Sequence, residues 1–387
     1  MDYQLSPEEI KQQQDMAAFC RDNIAPRAGV LDGSSRMDAC TYMRENLKLL
    51  AGGGLLQAGH TGDGFDLVAL YLAGEEAAKA CASTYLSARA SAFLTAGLLK
   101  LFGTPEQKER YVPGLLKADT VGSLAYSEEQ SGTDTAAIAA IARKDGDRWI
   151  ISGRKNIVVN APIADVFLVL AYNDKDAGVE RGMGIFIVEK GSEGLMISEP
   201  IETMGLRGAP IAALTLSDCA AAGVLGGFPG KGYEQLGRIM TMGMVGIAAL
   251  CVGIGTACME MSTAHAKERT AFGRRIGMYQ DVGFKLADMF TYNDLGRMLA
   301  LRAAWAFNTD EHGADVLASC AKLFASEAVT KIAGWAMQIF AGHGYLGGSD
   351  MERLYRDAKF GEICEGTSEM QRAFISRSEL DRFAAAR

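Results

Sequence analysis

Histidine is scarce in this chain, and the four present, His60, His265, His312 and His343, stand far apart. No H-E-x-x-H or similar spacing exists, so no metal site is expected. The eight cysteines form no C-x-x-C pair, and in a chain of this length they read as free thiols of a reducing, cytoplasmic protein. No G-x-G-x-x-G opens a helix after a strand, and no G-x-x-x-x-G-K-[ST] or G-x-S-x-G occurs. The usual dinucleotide, P-loop and nucleophile-elbow chemistries therefore lose their signatures. There is no run of five like charges, and the net charge is -8 with a pI of about 5.3. That balance excludes nucleic acid as a main partner. The start, MDYQLSPEEIKQQQD, is polar and acidic and does not read as a signal peptide.

The 387 residues exceed what one core usually supports, and 49% are apolar against 22% charged. Two or three units packed as one body are expected. Residues 239–259 carry no charge and could span a bilayer by length. Their richness in Gly, Ala, Met and Thr points instead to a buried central helix, with no membrane span. Residues 1–120 read as helices, the first opened by a Ser6 N-cap and Pro7 and ended near Pro26. Residues 121–228 hold short Ile-, Val- and Phe-rich runs separated by Gly, Asn and Asp, as in a mostly antiparallel sheet. Residues 229–387 return to long helices at 233–263, 280–308, 313–341 and 368–385. The class is α+β in three parts.

Four polar islands interrupt this pattern. AYSEEQSGTDTAAI (125–138) offers Ser127, Ser131 and Thr133 to an oxygen-rich ligand, or is simply a turn capped by Asp134. HAKERTAFGRRIGMYQ (265–280) gathers Arg269, Arg274 and Arg275 around Phe272-Gly273, which suits phosphate or carboxylate, or is a solvated helix end. QIFAGHGYLGGSDMERLYRDAKF (338–360) has Gly342, Gly344, Gly347 and Gly348 where backbone could approach closely, and Arg353, Arg356 and Asp357 as an ion-pair network. EICEGTSEMQR (362–372) sets carboxylates Glu362, Glu365 and Glu369 around a helix break at Gly366-Thr367.

Together these segments resemble the acyl-CoA dehydrogenase family of flavoproteins over nearly the whole chain. The matching stretches are GTPEQKERYVPGL, SEEQSGTD (127–134), WIISGRKNIVVNA (149–161), MGLR (204–207), ERTAFGRRIGMYQ and YRDAKFGEICEGTSEMQR. The resemblance implies an N-terminal helical domain, a middle β domain and a C-terminal four-helix domain, in a dimer or tetramer. It implies FAD as cofactor and Glu365 as the base that takes the α proton of an acyl thioester while flavin N5 takes the β hydride. It assigns Leu124, Ser127, Thr133, Val159, Thr367 and Glu369 to the flavin. Arg269, Phe272, Gln280, Gln338 and Gly342 become contacts made across a subunit interface. Thr133, Arg238 and Gly366 fall to the substrate. Family members that carry the base on the long apolar helix place it about where Gly237 stands, and glycine cannot serve.

The departures from the pattern are Glu129 for a proline, Ile157 and Val159 for a tryptophan and a threonine beside the flavin, His265 for a tyrosine, and a loose His60–Phe65 version of the Gly-rich substrate loop. NAPIADVFLVLAYNDKDAG and SEEQSGTD look like members that oxidise carrier-protein-bound substrates, with acyl-CoA the competing handle. An electron-transfer flavoprotein is the expected acceptor. The altered flavin surroundings keep open an oxidase that uses O2, and a non-catalytic thioester- or partner-binding scaffold.

Overall fold

The computed structural model describes residues 5–62 and 64–385. Asp63 of the His60–Phe65 loop and the first four residues of the polar N-terminus lie outside them. Helix α1 (Pro7–Asn23) begins as its sequence dictates: Ser6 accepts from the Glu9 N–H, and the Glu9 carboxylate accepts from the Ser6 N–H. Helices α2 (Arg36–Gly52) and α3 (Leu67–Ala80) follow, the latter capped by Asp66 and buried over almost its whole length. The Ala- and Leu-rich run after it reads as one helix, yet the structure divides it. Helix α4 (Ala82–Ala88) runs into a π-helical turn, Arg89–Thr95, before α-geometry resumes at Ala96–Phe102. A π turn widens the helix and redirects its side chains, and the first one redirected is Arg89. Thr104 then caps α5 (Pro105–Leu116) with a second capping box.

The middle of the chain is an eight-stranded sheet: β1 (Gly122–Ala125), β2 (Ile141–Asp145), β3 (Arg148–Val159), β4 (Val166–Tyr172), β5 (Met183–Glu189), β6 (Leu195–Ile197), β7 (Ile211–Ala221) and β8 (Gly223–Val224). The order is β8-β5-β4-β2-β3-β7-β6, with β1 also on β4. Most pairs are antiparallel, as the short turn-bounded runs suggest, but β1 and β2 both run parallel to β4. The β3–β7 ladder slips twice, between Ile151 and Gly153 and between Lys155 and Val158. The second bulge turns Ile157 outward, 66% exposed at φ 53, a conformation costly for a β-branched side chain.

Helix α6 (Gly232–Glu268) contains the uncharged stretch. Among the described residues it is the one helix long and apolar enough to cross a membrane, and 83% of its most apolar window is buried within the fold. Its glycines explain how. A methyl on Gly253 would lie 2.5 Å from the Glu75 carbonyl oxygen, so α3 sits directly on α6. Around α6 pack α7 (Gln280–Asn308) and α8 (Ala314–Phe340), followed by α9 (Asp350–Ala358) and α10 (Ser368–Ala385). Gly205 and Leu206 of the MGLR segment dock on α9: Asp357 accepts the Leu206 N–H at 2.5 Å, and a methyl on Gly205 would strike the Arg356 carbonyl. Arg356 reaches Asp32 at 2.7 Å. The expected ion-pair network is therefore present, with Asp357 spent on backbone rather than on an arginine.

Helices and sheet are joined at Asn160, which is wholly buried at φ 69. Its amide donates to the carbonyls of Ser87 (2.9 Å) and Gly122 (3.1 Å), its N–H donates to Pro210 (2.6 Å), and the Ser87 hydroxyl donates to its Oδ1. Asn160→Ala strands two buried carbonyls and a hydroxyl, so stability should fall by about 3 kcal/mol. The check is the denaturant midpoint, which drops at unchanged slope.

Candidate active site

Between α9 and α10 the chain makes a short helical turn, Phe360–Ile363, and then breaks. Glu365 adopts φ 52 and Gly366 φ 85. Glycine takes the left-handed region freely, whereas glutamate there costs on the order of 1 kcal/mol. The break is clamped. Gln371 Nε2 donates to the Glu365 carbonyl at 2.9 Å, and the Ser319 hydroxyl donates to Gln371 Oε1 at 2.6 Å. Lys322 Nζ donates to the Gly366 carbonyl at 2.6 Å. A methyl on Gly366 would meet Gln371 Nε2 at 2.8 Å, so only glycine fits both the dihedral and the space.

The clamp drives the Glu365 side chain inward, where it is 2% exposed. One oxygen, Oε1, accepts from Arg89 of the π turn, and Oε2 has no partner. The same Arg89 nitrogen donates to the Gly243 carbonyl at 3.0 Å. A notch in α6 admits both groups: a methyl on Gly243 would lie 2.3 Å from Glu365 Oε2, and one on Gly246 2.6 Å from Arg89 Nε. Burial raises the Glu365 carboxyl above its ordinary range, and Arg89 only partly opposes this. Burial also pushes the neighbouring Cys364 thiol up to about 12. A dry carboxylate with one free oxygen is a group able to accept a proton from a weak carbon acid.

The rival carboxylates are placed differently. Glu362 is bonded to Thr330 (2.5 Å) and Lys359 (2.6 Å). Glu369 is exposed at the start of α10, beside Thr367. The helix position that abuts the Glu365 carboxylate is Gly243. Gly237, six residues earlier and so about 9 Å along α6, opens instead onto a cleft of about 630 Å³. That cleft also holds Arg238, Thr241, Gly366 and Met370. An adjoining cleft of about 430 Å³ holds Thr133, Tyr233 and again Met370. Thr133, Arg238 and Gly366 thus surround Met370. Arg238 also pairs with Asp310 at 3.0 Å and lies 4.1 Å above the Phe307 ring.

The flavin-assigned residues fall into two groups. Leu124 on β1, Ser127, and Val159 on β3 form one wall. Ser123 Oγ donates to the Val159 carbonyl at 2.6 Å, and the Asn156 N–H to the Ser127 carbonyl at 2.9 Å. Beneath it, Lys155 Nζ donates to Glu128 (2.7 Å) and to the Tyr126 carbonyl (3.1 Å), wholly buried. Ile157, exposed, and Val159, half-buried, offer apolar surface on the strand whose Asn156, its Oδ1 unpartnered, donates its N–H to the Ser127 carbonyl. Flat apolar faces with a polar edge are what a flavin presents, so these residues fit it. Ser131 is withdrawn from such a role, because its hydroxyl donates to the Asp134 carbonyl at 2.5 Å. The turn reading also holds there, as Asp134 caps residues 135–137.

The second group, Arg269, Phe272, Gln280, Gln338 and Gly342, lies exposed at one end of the helical domain. Stacking of His265 on Phe340 at 4.3 Å brings the ends of α6 and α8 together there. Phe272, 97% exposed, tips a tight hairpin at φ 50, followed by Gly273 at φ 78. Of the glycines in segment 338–360, only Gly344 marks a close approach, 2.8 Å from Phe340 Cβ; Gly342, Gly347 and Gly348 face open space. His60 is half-buried beside the Ala92 carbonyl (3.1 Å), and desolvation lowers its pKa to about 4.

Sequence reasoning missed Arg89, Gly243, Gly246 and the Lys155–Glu128 pair. A lone charge inside the apolar run YLSARASAFLTAGLL was the available signal for Arg89.

Comparison with known proteins matches three family models in chain order: the acyl-CoA dehydrogenase N-terminal domain over residues 6–119, the middle domain over 123–219 and the C-terminal domain over 230–380. The probable acyl-CoA dehydrogenase YngJ of Bacillus subtilis is 37% identical over 384 residues, covering 98% of this chain and 100% of that protein. Butyryl-CoA dehydrogenase from Megasphaera elsdenii superposes with TM-score 0.90 at 29% identity, over 98% of this chain and 100% of that one. The prolyl acyl carrier protein oxidase AnaB superposes with TM-score 0.87 at 28% identity, over 97% and 99%.

Lys155→Met removes the cation beside buried Glu128 and leaves it chiefly the Ala139 and Ala140 N–H groups, a loss of about 3 kcal/mol. Thermal unfolding should come earlier and the purified protein should carry less flavin, read as flavin absorbance per chain.

Proposed function

This chain belongs to the acyl-CoA dehydrogenase family, and on that premise we propose that Glu365 takes the α proton of an acyl thioester bound beside the flavin. The chain is an FAD-dependent oxidoreductase acting on CH–CH bonds. FAD, when bound, supplies the acceptor for the β hydride. The wall of Leu124, Ser127 and Val159 would hold it, together with Thr133, Thr367 and Glu369. The observation that carries the base assignment is the buried, strained Glu365, raised above an ordinary carboxyl by its dry surroundings. By the family resemblance, the Glu365 N–H would meet charge growing on the thioester oxygen. Arg238 lines the cleft, and by the resemblance it would meet the substrate.

The handle is coenzyme A or a carrier protein. The likeness to butyryl-CoA dehydrogenase supports the first, and that to AnaB the second. Electrons leave to an electron-transfer flavoprotein. Ile157 and Val159, with the oxidase named in AnaB, favour a second reading in which O2 is the acceptor. Turnover with and without air, no other acceptor added, separates the two. A dead scaffold has no use for a strained buried carboxylate. The exposed hairpin at Phe272, with Arg269, Gln280, Gln338 and Gly342 around it, supports a homo-oligomer, dimer or tetramer, whose second copy covers this surface. The eight free thiols suit a reducing cytoplasm.

Two variants test the reading. Glu365→Gln should keep its flavin and bind thioester, yet lose flavin reduction by about 1,000-fold; reduction at the wild-type rate in anaerobic stopped flow removes Glu365 as base. Arg269→Ala should be purified largely without FAD, and an unchanged flavin content takes Arg269 off the cofactor surface.

A further inference from the structure

The Arg89–Glu365 pair is built with more care than packing requires. A buried ion pair adds little net stability over apolar residues of the same size. Here it occupies a π turn and two glycines of α6, and it leaves Arg89 Nε and Glu365 Oε2 without partners. A general base needs a fixed position, one free oxygen and a negative charge. Arg89 bears on all three. It takes Oε1 and leaves Oε2, and it is itself anchored to the Gly243 carbonyl.

We propose that Arg89 is a positioning residue for the base, pinning Glu365 in the glycine notch of α6 with one oxygen free. The inference rests on Glu365 being the base. Without Arg89, burial alone would favour the neutral acid, which cannot accept a proton. No other group facing Glu365 replaces that charged contact. Tyr85 on α4 and Tyr126 after β1 are held above their ordinary range by burial, and burial pushes the thiols of Cys364 and of Cys251 on α6 up to about 12, so all four stay neutral. Lys322 on α8 also favours the charged carboxylate through space, after Arg89, but its hydrogen bonds go to the carbonyls of Gly366 and Glu362 and not to the carboxylate, so it does not hold the base in place.

The test titrates Glu365 in the FAD-loaded protein by difference infrared spectroscopy, using the carboxylic-acid band that Glu365→Gln lacks. Beside it runs the pH profile of anaerobic flavin reduction by butyryl-CoA. In Arg89→Met the infrared midpoint and the acid limb should both rise by about 1–3 pH units. Arg89→Lys, which keeps the charge, should recover most of the shift. A wild-type midpoint in Arg89→Met with flavin bound overturns the inference. Gly243→Ala serves if Arg89→Met does not fold. Its methyl must displace the carboxylate while Arg89 stays, so flavin reduction should slow at least about tenfold with thioester binding kept; an unchanged rate overturns the inference. If the midpoint moves in Arg89→Met but no thioester reduces wild-type flavin, the proposed reaction has failed and the Arg89–Glu365 coupling has not.

Discussion

A carboxylate and a guanidinium share a site with almost no water, and much of the helical architecture is arranged so that they can. Glu365 comes from the break between α9 and α10, Arg89 from a π turn far earlier in the chain. They meet only because α6 lacks side chains at Gly243 and Gly246. The same helix lacks one at Gly253, where α3 rests. A helix poor in bulk is thus the axis of the domain: its glycines set how closely everything else approaches. The cost in helix propensity is offset by tertiary packing.

The sheet is tied to the helices through polar contacts as well as apolar ones. Asn160 bonds to Ser87, two residues before Arg89, and to Gly122 at the head of β1. Lys155 and Glu128 lock the SEEQSGTD segment onto β3. The wall assigned to the flavin and the carboxylate assigned to the base therefore belong to one connected framework, and a shift in either is felt by the other.

Local chemistry in the sequence reached far here. Caps at Ser6 and Thr104, the break at Gly366 and the long helices of the C-terminal part all depend on neighbours a few residues apart. The turn at Glu365-Gly366 was legible for the same reason, whereas the choice of Glu365 over Glu362 and Glu369 rested on the family resemblance. The Arg89–Glu365 contact was not, because it joins residues 276 apart through a notch that neither of them encodes. The π turn was hidden likewise, for an Ala- and Leu-rich run reads the same in either geometry. The parallel placing of β1 and β2 beside β4 depends on long-range register, which alternation alone does not fix. Gly342, Gly347 and Gly348 misled, since open space and a close approach use the same residue.

Ile157 carries a different lesson. It holds a β-branched side chain in the left-handed region, turned to the surface and unsupported by its own chain. Conformational strain of that kind is held by the β3–β7 ladder on either side of the bulge, and whatever settles against the exposed face adds to that support. The empty protein is then the less stable species, and heat tolerance becomes a gauge of occupancy. Ranking preparations or variants by melting temperature would mix how well they are loaded with how well they are folded.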